Sequence, residues 1–348
     1  MTEQASKQRS LYPWLVKAYM GLANDYSQQR LHHALLLSSA KALGKSQLVC
    51  RLAELIHCQE PAVNKACGQC QNCQLHLSQT HADFYRVEPL EGKSQISIEQ
   101  VRALSKKIMD TGLVNQRRVV FINGAEQMTE SAANALLKIL EEPPKHVYFI
   151  LTTSHISRLP ATILSRCYKL ALQQPPLDKL MAWLARKTER SISQTQFSLL
   201  GHSPISAIEA LEDNRIELVE QLCCASNTLY IAWQRGHLDH AYACVIELTE
   251  QITAIANHKT NPIALHELCS MLQQINHWIL KGQMVESTPI EGFAIELFQK
   301  ESNIDVAALL DLGSELAQLR LLMQSNTGVN GILQLQNLLI KATDNIIN

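Results

Sequence analysis

Four cysteines and one lysine carry the most readable chemistry. Cys67, Cys70 and Cys73 stand at C-x2-C-x2-C spacing in Cys67-Gly68-Gln69-Cys70-Gln71-Asn72-Cys73, and Cys58 precedes them by nine residues. Four thiolates close a tetrahedral Zn2+ site. Gly68 relieves crowding in the tight turn between ligands. Gln59 to Gln71 is polar and cannot build a core alone, so a metal is a sensible substitute. Structural zinc on Cys58, Cys67, Cys70 and Cys73 is the expectation. An iron–sulfur cluster uses the same spacing and is the second option. His57, His76 or His81 could stand in for Cys58. No open coordination position or general base is evident, which argues against catalytic zinc.

The lysine lies in Ser39-Ala40-Lys41-Ala42-Leu43-Gly44-Lys45-Ser46, after an apolar run. The phosphate-loop pattern is G-x-x-x-x-G-K-[ST]. Gly44, Lys45 and Ser46 match it. Ser39 replaces the first glycine, where bare backbone lets N–H groups wrap phosphates. Lys45 could still pair with phosphate oxygens, and Ser46 could still touch Mg2+. Hydrolysis needs more: a carboxylate at the end of a buried strand for Mg2+, and an acid beside it to orient water. Val119-Val120-Phe121-Ile122 ends instead in Asn123-Gly124. Asn123 is neutral and Gly124 has no side chain. Glu126 would need an unusual turn to reach the same point. The chain is expected not to hydrolyse ATP by itself, and ATP or ADP binding stays open.

These residues need a scaffold. His33 to Ser38, Val119 to Ile122 and Val147 to Thr152 read as buried strands, and Ser46 to Ile56 as a helix. Apolar strands spaced by helices predict a parallel sheet covered on both faces. Ser131 to Glu142 reads as a helix capped by Ser131 or Thr129 and stopped by Pro143. Gln173-Gln174-Pro175-Pro176 reads as a linker, beyond which strand signals vanish. The expected division is an α/β domain over 1–172, a small helical domain over 173–214 and an all-α domain over 215–348. Breaks are expected at Gly236-His237, Asn261-Pro262, Thr288-Pro289 and Thr327-Gly328.

With 348 residues, 46% of them hydrophobic, the chain exceeds one compact core. A net charge of -1 excludes a binder that holds nucleic acid by bulk basic charge and argues against a second alternative, a zinc-bearing nucleic-acid adaptor. No apolar run spans a membrane, and Met1 to Ser10 carries no secretory h-region. The expected location is cytoplasmic, with the ten cysteines reduced or metal-bound. Cys50, Cys223, Cys224, Cys244 and Cys269 fall on apolar helical stripes and read as buried thiols. The thirteen histidines show no ligand pair at helical spacing.

Two longer segments carry a resemblance. Ala133-Asn134-Ala135-Leu136-Leu137-Lys138-Ile139-Leu140-Glu141-Glu142-Pro143-Pro144 and Leu159-Pro160-Ala161-Thr162-Ile163-Leu164-Ser165-Arg166-Cys167 resemble the NALLK-LEEPP and LP-TI-SRC segments of bacterial DNA polymerase III clamp-loader subunits. The likeness is strongest over Tyr12 to Cys167. That family implies an AAA+ RecA-like domain with an inserted zinc module, a helical lid and an all-helical collar. Of its two related subunit types, gamma/tau keeps an intact phosphate loop and an Asp-Glu strand end. The delta-prime type has decayed versions of both. Tyr12-Pro13-Trp14-Leu15, Asn123-Gly124, and Ile205 in place of a sensor arginine in Gly201-His202-Ser203-Pro204-Ile205-Ser206-Ala207 resemble the delta-prime type. An active ATPase of the gamma/tau type is the alternative.

The resemblance implies that Arg166 is an arginine finger, supplied in trans to ATP on a neighbouring gamma/tau subunit. A guanidinium fork matches phosphate oxygens in shape and charge. Thr152 and Thr153 sit where the family's sensor-1 hydroxyl lies. Lys138, Glu141 and Glu142 read as a solvated face or an intersubunit contact. The implied partners are gamma/tau and delta subunits, with the sliding clamp and primed DNA reached through the assembly.

Overall fold

The computed structural model describes residues 11–90, 93–109, 117–188, 192, 194–201, 203–213, 215–258, 263–284, 305–325 and 330–347. The chain divides into two compact units, 1–176 and 177–348.

The first unit is a five-stranded parallel sheet with helices on both faces. Its strands are β1 (Ala34–Ser38), β2 (Phe84–Val87), β3 (Arg118–Ile122), β4 (Val147–Thr153) and β5 (Tyr168–Ala171), in the spatial order β2-β3-β4-β1-β5. The register pairs Leu36 with Leu151 on one side and with Lys169 on the other. Alternate side chains point to opposite faces. Leu36, Val120, Ile122, Phe149 and Leu151 therefore share one core with helices α4 (Ile98–Met109) and α5 (Glu130–Glu141). Leu35, Leu37, Val119, Phe121 and Ile150 share the other with helices α1 (Val16–Ser27) and α2 (Lys45–His57). Helix α3 (Gln71–Leu77) follows the cysteine-rich segment, and the short helix α6 (Ala161–Arg166) precedes β5.

The predicted strands and the helix after the first appear within one or two residues of their expected ends. Helix α5 takes Thr129 as its cap: the side chain accepts from the Ala132 N–H. Strands β2 and β5 escape a sequence reading because Arg86 and Lys169 interrupt their apolar runs.

The second unit is helical among the described residues. Its helices are α7 (Leu177–Lys187), α8 (Gln194–Leu199), α9 (Pro204–Glu212), α10 (Arg215–Arg235), α11 (Leu238–Ala256), α12 (Leu265–Met284), α13 (Val306–Ser325) and α14 (Gly331–Ile347). The break at Gly236-His237 separates α10 from α11. Those expected at 261–262, 288–289 and 327–328 lie outside the described residues. The core of α10 to α14 is apolar except for a few polar bonds. Trp233 Nε1 donates to Thr343 Oγ1 at 2.9 Å. Tyr230 OH donates to Asn276 Oδ1 at 3.0 Å, and Asn276 Nδ2 donates to the Leu309 carbonyl at 2.8 Å. One buried amide thus ties α10, α12 and α13. Among the described residues no helix is long and apolar enough to cross a membrane.

Removing that amide strands a phenol and a carbonyl away from water. Asn276→Ala should lower unfolding stability by about 2–4 kcal/mol, since each buried unsatisfied group costs about 1–3 kcal/mol. Urea unfolding followed by circular dichroism measures it, and an unchanged midpoint would refute it.

Candidate functional sites: the phosphate loop, Arg166 and the thiol cluster

The loop after β1 turns back on itself and enters α2 at Gly44. Gly44 has φ +94°, and a Cβ there would lie 2.7 Å from the Tyr12 ring. Tyr12 and Trp14 stack at 5.0 Å. The Tyr12 N–H donates to Gln47 Oε1 at 3.1 Å, and Trp14 Nε1 donates to the Leu43 carbonyl at 2.9 Å. The segment Tyr12-Pro13-Trp14-Leu15 is therefore a clamp that holds the loop against α2.

Lys45 Nζ is engaged by its own chain. It donates to the Ser39 and Ala40 carbonyls, each at 2.9 Å, and reaches Ser154 Oγ at 3.1 Å. Ser39 Oγ lies 3.2 Å away. The residue that replaces the first glycine thus supplies acceptors to the lysine. Burial pulls the ammonium down to about 8, against the opposing pull of Glu126.

Beyond β3, Gly124 adopts φ +77° and opens a single tight turn over Ala125–Gln127. This is the turn that the sequence made seem unlikely for Glu126. It swings the carboxylate back to the end of β4, where Oε1 accepts from the Ser154 N–H at 2.9 Å. Glu126 Oε2 is buried and has no hydrogen-bond partner among the described residues. Asn123 is held by neutral and acidic neighbours: Nδ2 donates to Glu88 Oε2 at 3.0 Å, and Thr152 Oγ1 donates to Asn123 Oδ1 at 3.3 Å. Thr152 and Thr153 are both buried at the end of β4. The signal for Glu126 was the glycine at 124, which alone tolerates that backbone easily.

Arg166 is the last residue of α6. It lies beside Glu141 at the end of α5, with Nη2 2.5 Å from Oε1, and Nη1 donates to the Thr162 carbonyl at 3.0 Å. About a third of its side chain is exposed. Glu141 is thus an ion-pair partner rather than only a solvated charge.

The four cysteines converge. One Sγ from each of Cys58, Cys67, Cys70 and Cys73 lies within 4.8 Å of all the others. Cys67 Sγ and Cys73 Sγ are 3.9 Å apart. Two thiolates on one tetrahedral zinc stand about 3.8 Å apart, given Zn–S near 2.3 Å. The N–H groups of Cys70 and Gln69 point at Cys67 Sγ, at 3.3 and 3.5 Å, and pull its thiol down to about 6. Burial raises the Cys58 and Cys73 thiols. Gly68 has φ +76° between two ligands. The donor set and spacing fit a metal ion.

His57, His76 and His81 do not replace Cys58. They form a separate group, with one ring nitrogen from each within 4.8 Å of the others. Spacing hid this group, because its members come from the end of α2, from α3 and from the loop after α3. Among the remaining cysteines, Cys223, Cys244 and Cys269 are buried as expected, whereas Cys50 and Cys224 are exposed. Those two sit at the edges of their helical stripes.

A parallel sheet in the order 5-1-4-3-2, with a phosphate-type loop between β1 and α2, defines a RecA-like domain of the AAA+ class. The profile of the family described as "DNA polymerase III, delta subunit" matches residues 15–176. The protein named DNA polymerase III subunit delta' of Escherichia coli K12 is 30% identical over 332 residues, 95% of this chain and 94% of that one. Its namesake in Yersinia pestis is 32% identical over 327 residues, 92% of this chain and 91% of that one. A DNA polymerase III gamma subunit-related protein of Thermotoga maritima superposes with a TM-score of 0.48 at 18% identity, covering 92% of this chain and 99% of that one. The chain belongs to the delta-prime subunit family of DNA polymerase III.

Any side chain at Gly44 meets both an unfavourable backbone and the Tyr12 ring. Gly44→Ala should destabilise the first unit by about 2–4 kcal/mol, summing left-handed strain and overpacking. Chemical unfolding read by tryptophan fluorescence tests this, and a loss under about 0.5 kcal/mol, the ordinary range of surface substitutions, would contradict it.

Proposed function

We propose that this chain is the delta-prime member of a DNA polymerase III clamp loader, a ring subunit that lends Arg166 to ATP held by a neighbouring gamma/tau subunit. The observation that carries the reading is the split in this chain's own chemistry. A partly exposed guanidinium stands at the end of α6. The strand that should present a metal carboxylate ends in Asn123-Gly124. The loop lysine is satisfied by Ser39, Ala40 and Ser154. Such a chain can complete another subunit's site better than it can run its own.

In this reading the chain does not hydrolyse ATP. Its α/β domain presents Arg166 to the transferring phosphoryl, where a guanidinium offsets developing charge. The 173–214 segment acts as the AAA+ lid, and 215–348 as the collar that joins gamma/tau and delta subunits. The sliding clamp and primed DNA are reached through the assembly, in the cytoplasm. Cys58, Cys67, Cys70 and Cys73 would hold a structural Zn2+, which substitutes for a core in a polar insertion.

One observation favours a second reading, an active ATPase of the gamma/tau type. Gly44, Lys45 and Ser46 keep the end of the phosphate loop, and Glu126 lies close enough to oppose the fall in the Lys45 pKa that burial causes. ATP turnover by the isolated chain that Lys45→Ala abolishes would establish that reading and overturn the first.

An arginine finger is worth about 10³–10⁵ in rate. In a loader reconstituted with gamma/tau and delta subunits, Arg166→Ala should silence the one adjoining ATP site and leave assembly intact. Undiminished DNA-stimulated hydrolysis would reject the finger. For the metal, Cys73→Ser should diminish the thiolate-to-cobalt absorption of the Co2+-substituted chain by at least about a quarter, the share of one thiolate in four. It should also lower the thermal midpoint of the first unit, residues 1–176, by more than about 5 °C, taking about 2–4 °C per kcal/mol for a unit of that size.

A further inference from the structure

His57, His76 and His81 lie close in sequence to the cysteine ligands, and the structure brings them to one another rather than to the thiol cluster. His57 closes α2, His76 stands near the end of α3, and His81 lies on the loop into β2. His57 Nδ1 is 2.7 Å from His76 Nε2. We propose that these three histidines form a second transition-metal site in this chain, separate from the thiol cluster and holding Zn2+ by three imidazole nitrogens.

Donor chemistry supports it first. Imidazole nitrogens suit zinc and its late first-row neighbours. Three imidazoles with one open position make a recognised zinc donor set. Burial supports it second. His81 is only 5% exposed, and its Nε2 has no hydrogen-bond partner among the described residues. Its Nδ1 is already used, accepting from the Asp83 N–H at 3.2 Å. Buried polar atoms normally find a partner, so an orphan nitrogen on one of three imidazoles whose ring nitrogens gather within 4.8 Å of one another points to something that joins them. Access supports it third. His76 and His81 line a cavity of about 400 Å³, shared with Cys50, Glu54 and Arg86. That space admits an ion and leaves room for water as a fourth ligand.

The plainer account is a hydrogen bond between His57 Nδ1 and His76 Nε2 within a stack of aromatic rings, which leaves His81 Nε2 without a partner among the described residues. His57 and His81 do stack, with centroids 4.1 Å apart and planes 7° apart. Stacking satisfies ring faces but does nothing for nitrogens at ring edges. Two nitrogens on one tetrahedral zinc stand about 3.3 Å apart, given Zn–N of about 2.0–2.1 Å. His57 Nδ1 and His76 Nε2, now 2.7 Å apart, would therefore part by about 0.6 Å, and the rings would turn to aim their in-plane lone pairs inward. The Nε2 tautomer of His81 would change as well, giving up its weak bond from Asp83 for a metal bond.

The test is a metal count on the full chain, stripped by chelator under reducing conditions and dialysed against Zn2+. Wild type should hold two ions and His76→Gln one. His76 is only half buried, so the substitution should leave the far-ultraviolet circular dichroism unchanged. With Co2+, the thiolate-to-cobalt band should persist undiminished in His76→Gln, because it belongs to the cysteines. One ion per wild-type chain with that band present would overturn the proposal, as would two ions retained by the His76→Gln/His81→Gln double variant. One ion without the band, lost on His76→Gln, would uphold this site and defeat the zinc reading of the cysteines.

Discussion

The pairing of β1 with β4 on one side and β5 on the other is the constraint from which the first unit follows. Ala34 to Leu37 are buried to the last few per cent, and their alternation sends Leu35 and Leu37 into one core and Leu36 into the other. With both edges of β1 bonded, its end is fixed, and so is the loop that leaves it. The Ser39 N–H donates to the Thr153 carbonyl at 3.2 Å, and the Leu172 N–H donates to the Ser38 carbonyl at 2.8 Å. Lys45, Ser154 and Glu126 meet where they do because three neighbouring strand ends are held level. A sheet whose centre slipped by one residue would exchange its two cores and dissolve that meeting point.

The cysteine-rich insertion is stabilised differently. Its apolar cluster contains Cys58, Ala66 and Cys73, with Cys67 and Cys70 packed against it, and little else. Asn72 Nδ2 donates to the His57 carbonyl at 2.7 Å, which anchors the ligand helix to the end of α2. So small a cluster buries too little surface to fold unaided, whereas four thiolates drawn to one cation can order the same chain.

Much of this was legible in the sequence, for identifiable reasons. The inner strands are continuous apolar runs, so β1, β3 and β4 could be read. The edge strands β2 and β5 carry Arg86 and Lys169 and could not. The cysteines declared themselves because their spacing is short and their chemistry narrow. The histidines did not, because His57 and His76 are brought together by the packing of α3 against α2 rather than by any period in the chain. The position of Glu126 is hard to read from sequence for a related reason: it depends on one left-handed residue, Gly124, and not on strand alternation. Cys50 shows the limit of a stripe argument, since its helical position is apolar but borders a cavity.

Arg166 is stored against its own chain. Its charge is shared with Glu141 on the surface, where such pairs contribute only about 0–1 kcal/mol. In the proposed finger role, a hold that weak would give way to a phosphate arriving with more than one negative charge. The same carboxylate would be left behind as the arginine departs, a fixed negative charge close to the newly made contact. Handing over the arginine in that proposed role would create its own restoring force, favouring its return once the phosphate has gone.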